Sequence, residues 1–173
     1  MSRLQPGATI APVDWPTLHG ARSSIPHPKL LTHLQFRRFA GCPVCNLHLR
    51  SFARDHQRIE SLGIQEVVVF HSSREEMLKY HGELPFAALA DPEFELYRRF
   101  GVERSMRAML HPKALWGAMA GTFSTPSGTP SGTTALGLPA DFLIAPSGEI
   151  VACHYGRHAN DQWSVEDVLQ LAR

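Results

Sequence analysis

The stretch that decides the fold is residues 30–45, LLTHLQFRRFAGCPVC. Residues 30–36 contain apolar side chains without the spacing of a helix, which predicts a buried strand. Two cysteines, Cys42 and Cys45, follow closely. Pro43 lies between them and suits the first turn of a helix, where its missing N–H needs no partner. The sequence therefore predicts a strand that leads into a helix beginning at a cysteine pair.

The helix predicted after the pair extends from residue 43 to about residue 61. No further proline or glycine interrupts this segment, and Gly63 should end it. Its apolar residues recur at three- and four-residue spacing, so one face of the helix should be buried. These residues are Cys45, Leu49, Phe52, His56 and Ile59.

The rest of the chain alternates predicted strands and helices. The apolar run at residues 64–70 is typical of a central strand covered on both faces. Ser164 should begin the last helix, with a capping box to Asp167. The other predicted elements are a short helix after Ser72 or Ser73, a strand at 86–89, a helix at 91–100, a helical segment at 103–120 that Pro112 should kink, and hairpin strands at 141–145 and 150–155. This order predicts an α/β fold with a central mixed sheet, parallel in one half and antiparallel in the other.

The length of 173 residues suits one domain, so we predict a single domain over residues 1–173. Residues 1–28 are rich in Pro, Gly and polar side chains and should form an extended N-terminal arm or a loose hairpin. Residues 121–137 carry a tandem TPSG repeat and should form a flexible Gly/Ser/Thr/Pro loop.

The composition indicates a protein of a reducing compartment. The net charge is +1 without a basic stripe, so nothing indicates nucleic acid or an anionic membrane as a partner. The apolar runs are too short to cross a bilayer, and the first seven residues lack the apolar core of a signal peptide. Three cysteines do not resemble a secreted disulfide framework. We therefore expect a cytoplasmic protein, in which a close cysteine pair indicates redox or metal chemistry.

The place of the pair at a helix start predicts its chemistry. Cys42 lies where backbone N–H groups lack partners and the helix dipole is positive, and both favour a thiolate. Cys42 is therefore the expected attacking sulfur, and Cys45, one turn on, can resolve a mixed disulfide. Arg37 or Arg38 could add positive potential, but alternation along a strand puts only one of them on a given face.

Two other interpretations of the pair stay open. The cysteines could be buried residues without chemistry. They could also belong to a metal site, which needs about four ligands. Cys153 and His154 could complete such a site only if the hairpin folds over the helix start. Outside the pair, we interpret Cys153 as a small buried hydrophobe and Asp141 as a surface aspartate at a strand end, and we expect no cofactor.

The segment FAGCPVC at residues 39–45, placed after a strand, resembles the active-site segment of the peroxiredoxin-like proteins of the AhpC/TSA antioxidant superfamily. The resemblance covers residues 4–173, and the insertion from about 104 to 137 is similar to that of a longer subgroup. It implies a thioredoxin-like fold, redox activity through Cys42, frequent homodimers, and a cellular thiol reductant of thioredoxin or glutathione type. Further matching segments are LPF at 84–86, DP at 91–92, LYRRFGV at 96–102, FLI at 142–144 and GEI at 148–150.

The chain departs from the peroxiredoxin pattern around the pair. Peroxiredoxins place a Pro seven residues and a Thr or Ser three residues before the reactive cysteine, but Gln35 and Phe39 stand there. The Arg that they carry ahead of the strand in the final hairpin is absent from residues 137–141. Pro139 instead resembles the cis-proline of thioredoxins. A cis bond there would place the backbone of Leu138 to accept an extended disulfide substrate.

From these features we predict a dithiol oxidoreductase, either a disulfide reductase or a peroxidase. Cys42 and Cys45 are the expected catalytic residues. The expected substrate-binding residues are Pro43, Leu138 and Pro139, and no metal is expected. The alternative is a non-catalytic or metal-holding binding module with the same fold.

Overall fold

The computed structural model describes residues 3–102 and 137–173. The helical segment predicted at 103–120 and the loop predicted at 121–137, apart from Gly137, lie outside the described residues. The strands are β1 (Val13–Pro16), β2 (Arg22–Ile25), β3 (Leu31–Phe36), β4 (Ile64–Phe70), β5 (Ala87–Ala90), β6 (Ala140–Ile144) and β7 (Ile150–Tyr155). The helices are α1 (Pro43–Arg54), α2 (His56–Ser61), α3 (Arg74–His81), α4 (Glu95–Arg99) and α5 (Val165–Leu171).

The central sheet has five strands in the order β5-β4-β3-β6-β7. β3 pairs in parallel with β4, and β4 pairs in parallel with β5. β6 runs antiparallel to both β3 and β7. The predicted α/β fold with a mixed sheet is therefore confirmed. Because β3 is central and leads into α1, the dithiol lies at the carboxyl end of the most protected strand.

The N-terminal region is a hairpin rather than an extended arm. β1 and β2 pair antiparallel, and Gly20 in the turn between them has φ +87°, which a residue with a side chain rarely adopts. In the turn of the hairpin, the backbone N–H of Leu18 donates to the carbonyl of Ala88 at 3.0 Å. The hairpin thus covers part of the outer edge of β5, and of the two forms predicted for this region the structure has the hairpin.

Two predicted helices differ from the structure in their bounds. The helix predicted at 43–61 is divided at Asp55, whose φ of −94° and ψ of 10° separate α1 from α2. The helix predicted from residue 91 begins at Glu95. Its start is later because the Asp91 carboxylate accepts hydrogen bonds from the backbone N–H groups of Glu95 and Leu96, both at 2.8 Å, and thus occupies the place of a cap. The caps of α3 at Ser73 and of α5 at Ser164 with Asp167 are confirmed.

The two faces of the sheet are buried under different elements. One face packs against α4 and the N-terminal segment, with edge contacts between aromatic rings such as Phe36 with Tyr97 and Phe36 with Phe142. The other face packs against α1, α2, α3 and α5. Side chains alternate along β3, so Leu34 and Phe36 point to the first face. His33 and Gln35 point to the second face.

The second face of β3 carries a buried network of charged and polar side chains. The Arg37 guanidinium contacts the Asp141 carboxylate at 2.6 Å, and both side chains are fully buried. His33 lies between two carboxylates, with Nδ1 2.9 Å from Glu66 Oε1 and Nε2 3.4 Å from Asp141 Oδ1. The prediction of Asp141 as a surface residue is therefore wrong. A buried carboxylate is stable here because Arg37 and His33 compensate its charge.

Opposite charges in the network shift its pKa values in opposite directions. Burial alone would lower the pKa of His33, but Glu66 and Asp141 outweigh it and raise the pKa to about 9. Burial alone would raise the pKa of Asp141, but Arg37 and His33 lower it well below its ordinary value. His33 is therefore protonated and Asp141 ionised at neutral pH.

We predict that the protein loses stability in mild base because of His33. Its pKa is higher in the folded state than in the unfolded chain, so its contribution is fully present below pH 6.5 and disappears as the pH rises through about 9. The contribution is on the order of 3 kcal/mol. The free energy of unfolding, measured with urea at several pH values, should fall across this window, and His33→Gln should flatten the fall. A wild-type profile as flat as that of His33→Gln would contradict the account.

Candidate active site

The dithiol lies where the chain turns from β3 into α1. Cys42 is the N-terminal cap residue of α1, with φ −67° and ψ 114°, and Pro43 is in the first turn, as the sequence predicts. The backbone N–H of Cys42 donates to the carbonyl of Phe39 at 3.0 Å and closes the preceding turn. Cys45 is one helical turn further on, so both sulfurs lie on the same side of the helix start.

The two sulfurs are in direct contact and shielded from solvent. Cys45 Sγ lies 2.9 Å from Cys42 Sγ, and both cysteines are fully buried. Both are free thiols. This proximity means that an intramolecular disulfide can form with little movement of the backbone, because sulfur atoms that are already adjacent need only small torsional changes to bond.

The pKa values of the two thiols diverge. Burial would raise the pKa of Cys42, but a hydrogen bond from the Cys45 thiol, the positive charge of Arg38 and the N–H groups at the helix start outweigh it and lower the pKa to about 7. Burial and the neighbouring Cys42 sulfur raise the pKa of Cys45 well above its ordinary value. The pair therefore consists of one nucleophilic thiolate and one thiol that donates to it.

The two adjacent arginines follow the end of β3 at Phe36 and contact different groups. Arg37 is directed to Asp141 on the helix-covered face of the sheet. Arg38 is directed to the site, where its Nη1 lies 3.9 Å from Cys42 Sγ and its guanidinium packs on the Phe39 ring. Among the residues that the structure describes, Arg38 is the cation whose charge lowers the pKa of Cys42.

The predicted substrate-binding segment lies beside this junction, but its geometry differs from the prediction. A Cβ added to Gly137 would lie 3.7 Å from Arg38 Cα, so the segment approaches the site. Pro139 is not cis: within residues 3–102 and 137–173, the cis peptide bond is Ile25–Pro26. Pro139 instead opens β6, and its carbonyl accepts a hydrogen bond from the N–H of Gly156 at 2.9 Å. Leu138 therefore does not precede a cis-proline, which was the reason to expect it to bind substrate.

Tyr97 is a residue of the site region that the sequence did not single out as functional. Its hydroxyl is fully enclosed and contacts the carbonyls of Arg37 and Val69. These carbonyls are at the carboxyl ends of β3 and β4, so Tyr97 holds together the two strands that end at the site. The pattern LYRRFG indicates a helix that ends at Gly101, but it does not show which tertiary partner the hydroxyl finds.

Cys153 does not join the dithiol. It lies on β7 and packs against the core on the face of the sheet opposite to α1, and its thiol contacts the carbonyl of Leu4 at 3.6 Å. His154 contacts Asp161 at 2.9 Å instead. Among the residues that the structure describes, no group of three or more His, Cys, Asp or Glu side chains could hold a metal ion. In the same residues, no helix is long and apolar enough to cross a membrane.

We predict that Arg38 lowers the pKa of Cys42. Replacement by Gln removes the cation beside the thiolate, so the pKa of Cys42 should rise, and a rise of one unit would reduce the thiolate population at pH 7 about fivefold. The rate of alkylation by iodoacetamide, measured against pH, reports this population. Arg38→Lys should keep most of the effect. Arg54→Gln, which removes an exposed charge at the other end of α1, should leave the profile unchanged. A profile of Arg38→Gln that matches the wild type would contradict this role.

The fold is shared with solved thiol-redox proteins at low sequence identity. The peroxidoxin BcpB of Mycobacterium tuberculosis has 13% identity and a TM-score of 0.70, with 98% of this chain and 95% of that chain covered. AhpC of the same organism has 15% identity and a TM-score of 0.69, with 99% and 97% covered. A putative thiol:disulfide interchange protein DsbE from Chlorobium tepidum has 18% identity and a TM-score of 0.64, with 98% and 99% covered. At such identities these likenesses show the fold alone.

The sequence itself matches one family. No curated protein sequence matches the chain. The family model described as AhpC/TSA antioxidant enzyme matches residues 51–158, which are more than half of the chain. The match begins after Cys45, so it bears on the fold and not on the dithiol. The resemblance drawn from the sequence is confirmed, and the chain belongs to the AhpC/TSA antioxidant enzyme family.

Proposed function

We propose that the protein is a thiol-dependent oxidoreductase that uses Cys42 and Cys45 to reduce a peroxide or a disulfide. The observation that carries the proposal is the contact of 2.9 Å between two buried sulfurs whose pKa values shift in opposite directions. A thiolate and a thiol held together in this way have the two reactivities that a dithiol cycle requires.

With a peroxide, the Cys42 thiolate attacks one oxygen and the O–O bond breaks. The attacked oxygen stays on sulfur as a sulfenic acid, and the other leaves as water after it takes up a proton. The sulfur of Cys45 then attacks Cys42, the sulfenic oxygen leaves as a second water, and the Cys42–Cys45 disulfide forms. The sulfur pair has lost two electrons and the peroxide has gained them.

With a disulfide, the Cys42 thiolate attacks one substrate sulfur and the other substrate sulfur leaves as a thiolate. Cys45 then loses its proton and attacks Cys42 in the mixed disulfide, which releases the second substrate thiol. The protein ends in the same oxidised state. Reduction of the Cys42–Cys45 disulfide back to the dithiol needs two electrons, which a cellular thiol of thioredoxin or glutathione type would supply. Because such thiols are maintained in a reducing compartment, we propose that the protein acts in one such as the cytoplasm.

Two observations favour peroxide as the substrate. Both sulfurs are fully buried, which suits a small oxidant better than an extended disulfide. The Arg38 guanidinium beside Cys42 also lies where negative charge on the departing oxygen would develop. The trans form of Pro139 removes one of the arguments for disulfide exchange. The dithiol spacing, Phe39 in place of a hydroxyl residue and the missing Arg still favour it. Solved proteins of both kinds share the fold, so the fold does not choose between the substrates.

We predict that the two cysteines have different roles in turnover. Cys42→Ser should abolish activity with both substrates, because it removes the attacking sulfur. Cys45→Ser should stop the cycle at the intermediate on Cys42. Intact-mass spectrometry should then show one added oxygen after peroxide and one added substrate thiol after a small disulfide. The faster of the two reactions identifies the preferred substrate.

Cys153→Ser is the matched control for this experiment, because Cys153 lies on the opposite face of the sheet. It should leave turnover unchanged. Activity that survives in Cys42→Ser, or that is lost in Cys153→Ser, would overturn the proposed function.

A further inference from the structure

The loop that leads to Cys42 at the helix start is held at one residue, Ala40, by two side chains from outside the loop. The backbone N–H of Ala40 donates to Ser72 Oγ at 3.0 Å, and the carbonyl of Ala40 accepts a hydrogen bond from His81 Nε2 at 2.8 Å. Ser72 lies in the connection after β4, and His81 is the last residue of α3. Ala40 is two residues before Cys42, so both of its polar backbone groups are occupied at the point where the chain approaches the dithiol.

The two partners of Ala40 are themselves buried and held in place. Ser72 is 2% exposed and His81 is 4% exposed. The imidazole ring of His81 stacks on Phe70 of β4, with ring centroids 4.4 Å apart and an interplanar angle of 22°. Burial lowers the pKa of His81 to about 4, and the hydrogen bond to Ala40 offsets only part of this. His81 is therefore neutral at physiological pH and adds no charge to the site.

We propose that Ser72 and His81 are positioning residues that hold the loop at 39–41 in the conformation in which the start of α1 stabilises the Cys42 thiolate. The N–H groups of Val44 and Cys45 contribute to that stabilisation, and they do so only when Cys42 enters the helix with its observed backbone angles. A loop released from Ser72 or His81 can rotate about Ala40 and change those angles. The inference deepens the proposed function and depends on Cys42 being its reactive sulfur.

Among the residues that the structure describes, the side chains that shift the pKa of Cys42 are those of Arg38 and Cys45. Arg38 faces Cys42 from the loop after β3, and Cys45 faces it from α1. Replacements at Ser72 and His81 alter none of these groups. A change in the titration of Cys42 would therefore report position and not the loss of a charge.

The experiment uses the full-length reduced protein in a Cys153→Ser background. Thiolate absorbance in the ultraviolet, followed against pH, gives the titration of Cys42, because Cys45 titrates at much higher pH. Ser72→Ala should move this titration to higher pH and slow alkylation below the pKa by about three- to tenfold. Ser72→Thr, which keeps the hydroxyl, should restore most of the wild-type behaviour.

Two matched controls separate positioning from general destabilisation. Ser73→Ala removes the neighbouring hydroxyl, which caps α3 through the N–H of Glu76 at 3.2 Å, and it should lower the melting temperature without moving the titration. His81→Phe keeps a ring for stacking on Phe70 but loses the donor, so it should behave like Ser72→Ala. His81→Gln keeps a donor and should lie closer to the wild type.

An unchanged titration in both Ser72→Ala and His81→Phe would overturn the inference, as would an equal shift in Ser73→Ala. Neither measurement requires the natural substrate. Failure of the proposed function would instead appear as turnover in Cys42→Ser, so the two results are distinguishable.

Discussion

The site depends on the ion pair between Arg37 and Asp141 inside the sheet. It joins the end of β3 to β6 at 2.6 Å, and Arg37 also lies 3.1 Å from His48 Nε2 on α1. The loss of one partner would leave an unpaired buried charge, at a cost of about 3–5 kcal/mol. Arg37 is thereby held on Asp141, and the next residue, Arg38, is the arginine that lies beside Cys42. The buried pair also fixes the end of β3, from which the chain continues to the dithiol.

Both cysteines are fully buried, but neighbouring groups offset the effect of burial on the pKa of Cys42 more than on that of Cys45. Desolvation disfavours both thiolates, but the helix start, Arg38 and the Cys45 thiol all stabilise charge on Cys42. Arg38 offsets only part of the effect of burial on the pKa of Cys45, and the neighbouring Cys42 sulfur adds to the rise. The difference between the two pKa values, on which the proposed roles of attacking and resolving sulfur depend, therefore arises from position along one helical turn.

Features with local causes were predictable from the sequence, and features with tertiary causes were not. The strand before the cysteines, the helix after Pro43 and the cap at Ser164 depend on neighbours within a few residues, and each is present. The burial of Asp141 depends on Arg37, which is more than a hundred residues away in the sequence. The general preference of aspartate for the surface therefore gave a wrong prediction for this residue. Pro139 had the position of a thioredoxin cis-proline in the sequence, but its carbonyl pairs with Gly156, and it opens β6 as a trans residue. The break at Asp55 had no signal in a segment without Pro or Gly.

Membership of the AhpC/TSA family accounts for the fold, while the dithiol lies ahead of the matched residues 51–158. The most direct measurement of the central claim is therefore peptide mapping of the wild-type protein after one equivalent of oxidant. The account predicts a disulfide between Cys42 and Cys45, with Cys153 still available for alkylation. A disulfide that includes Cys153, or stable over-oxidation of Cys42 with Cys45 still a free thiol, would contradict it.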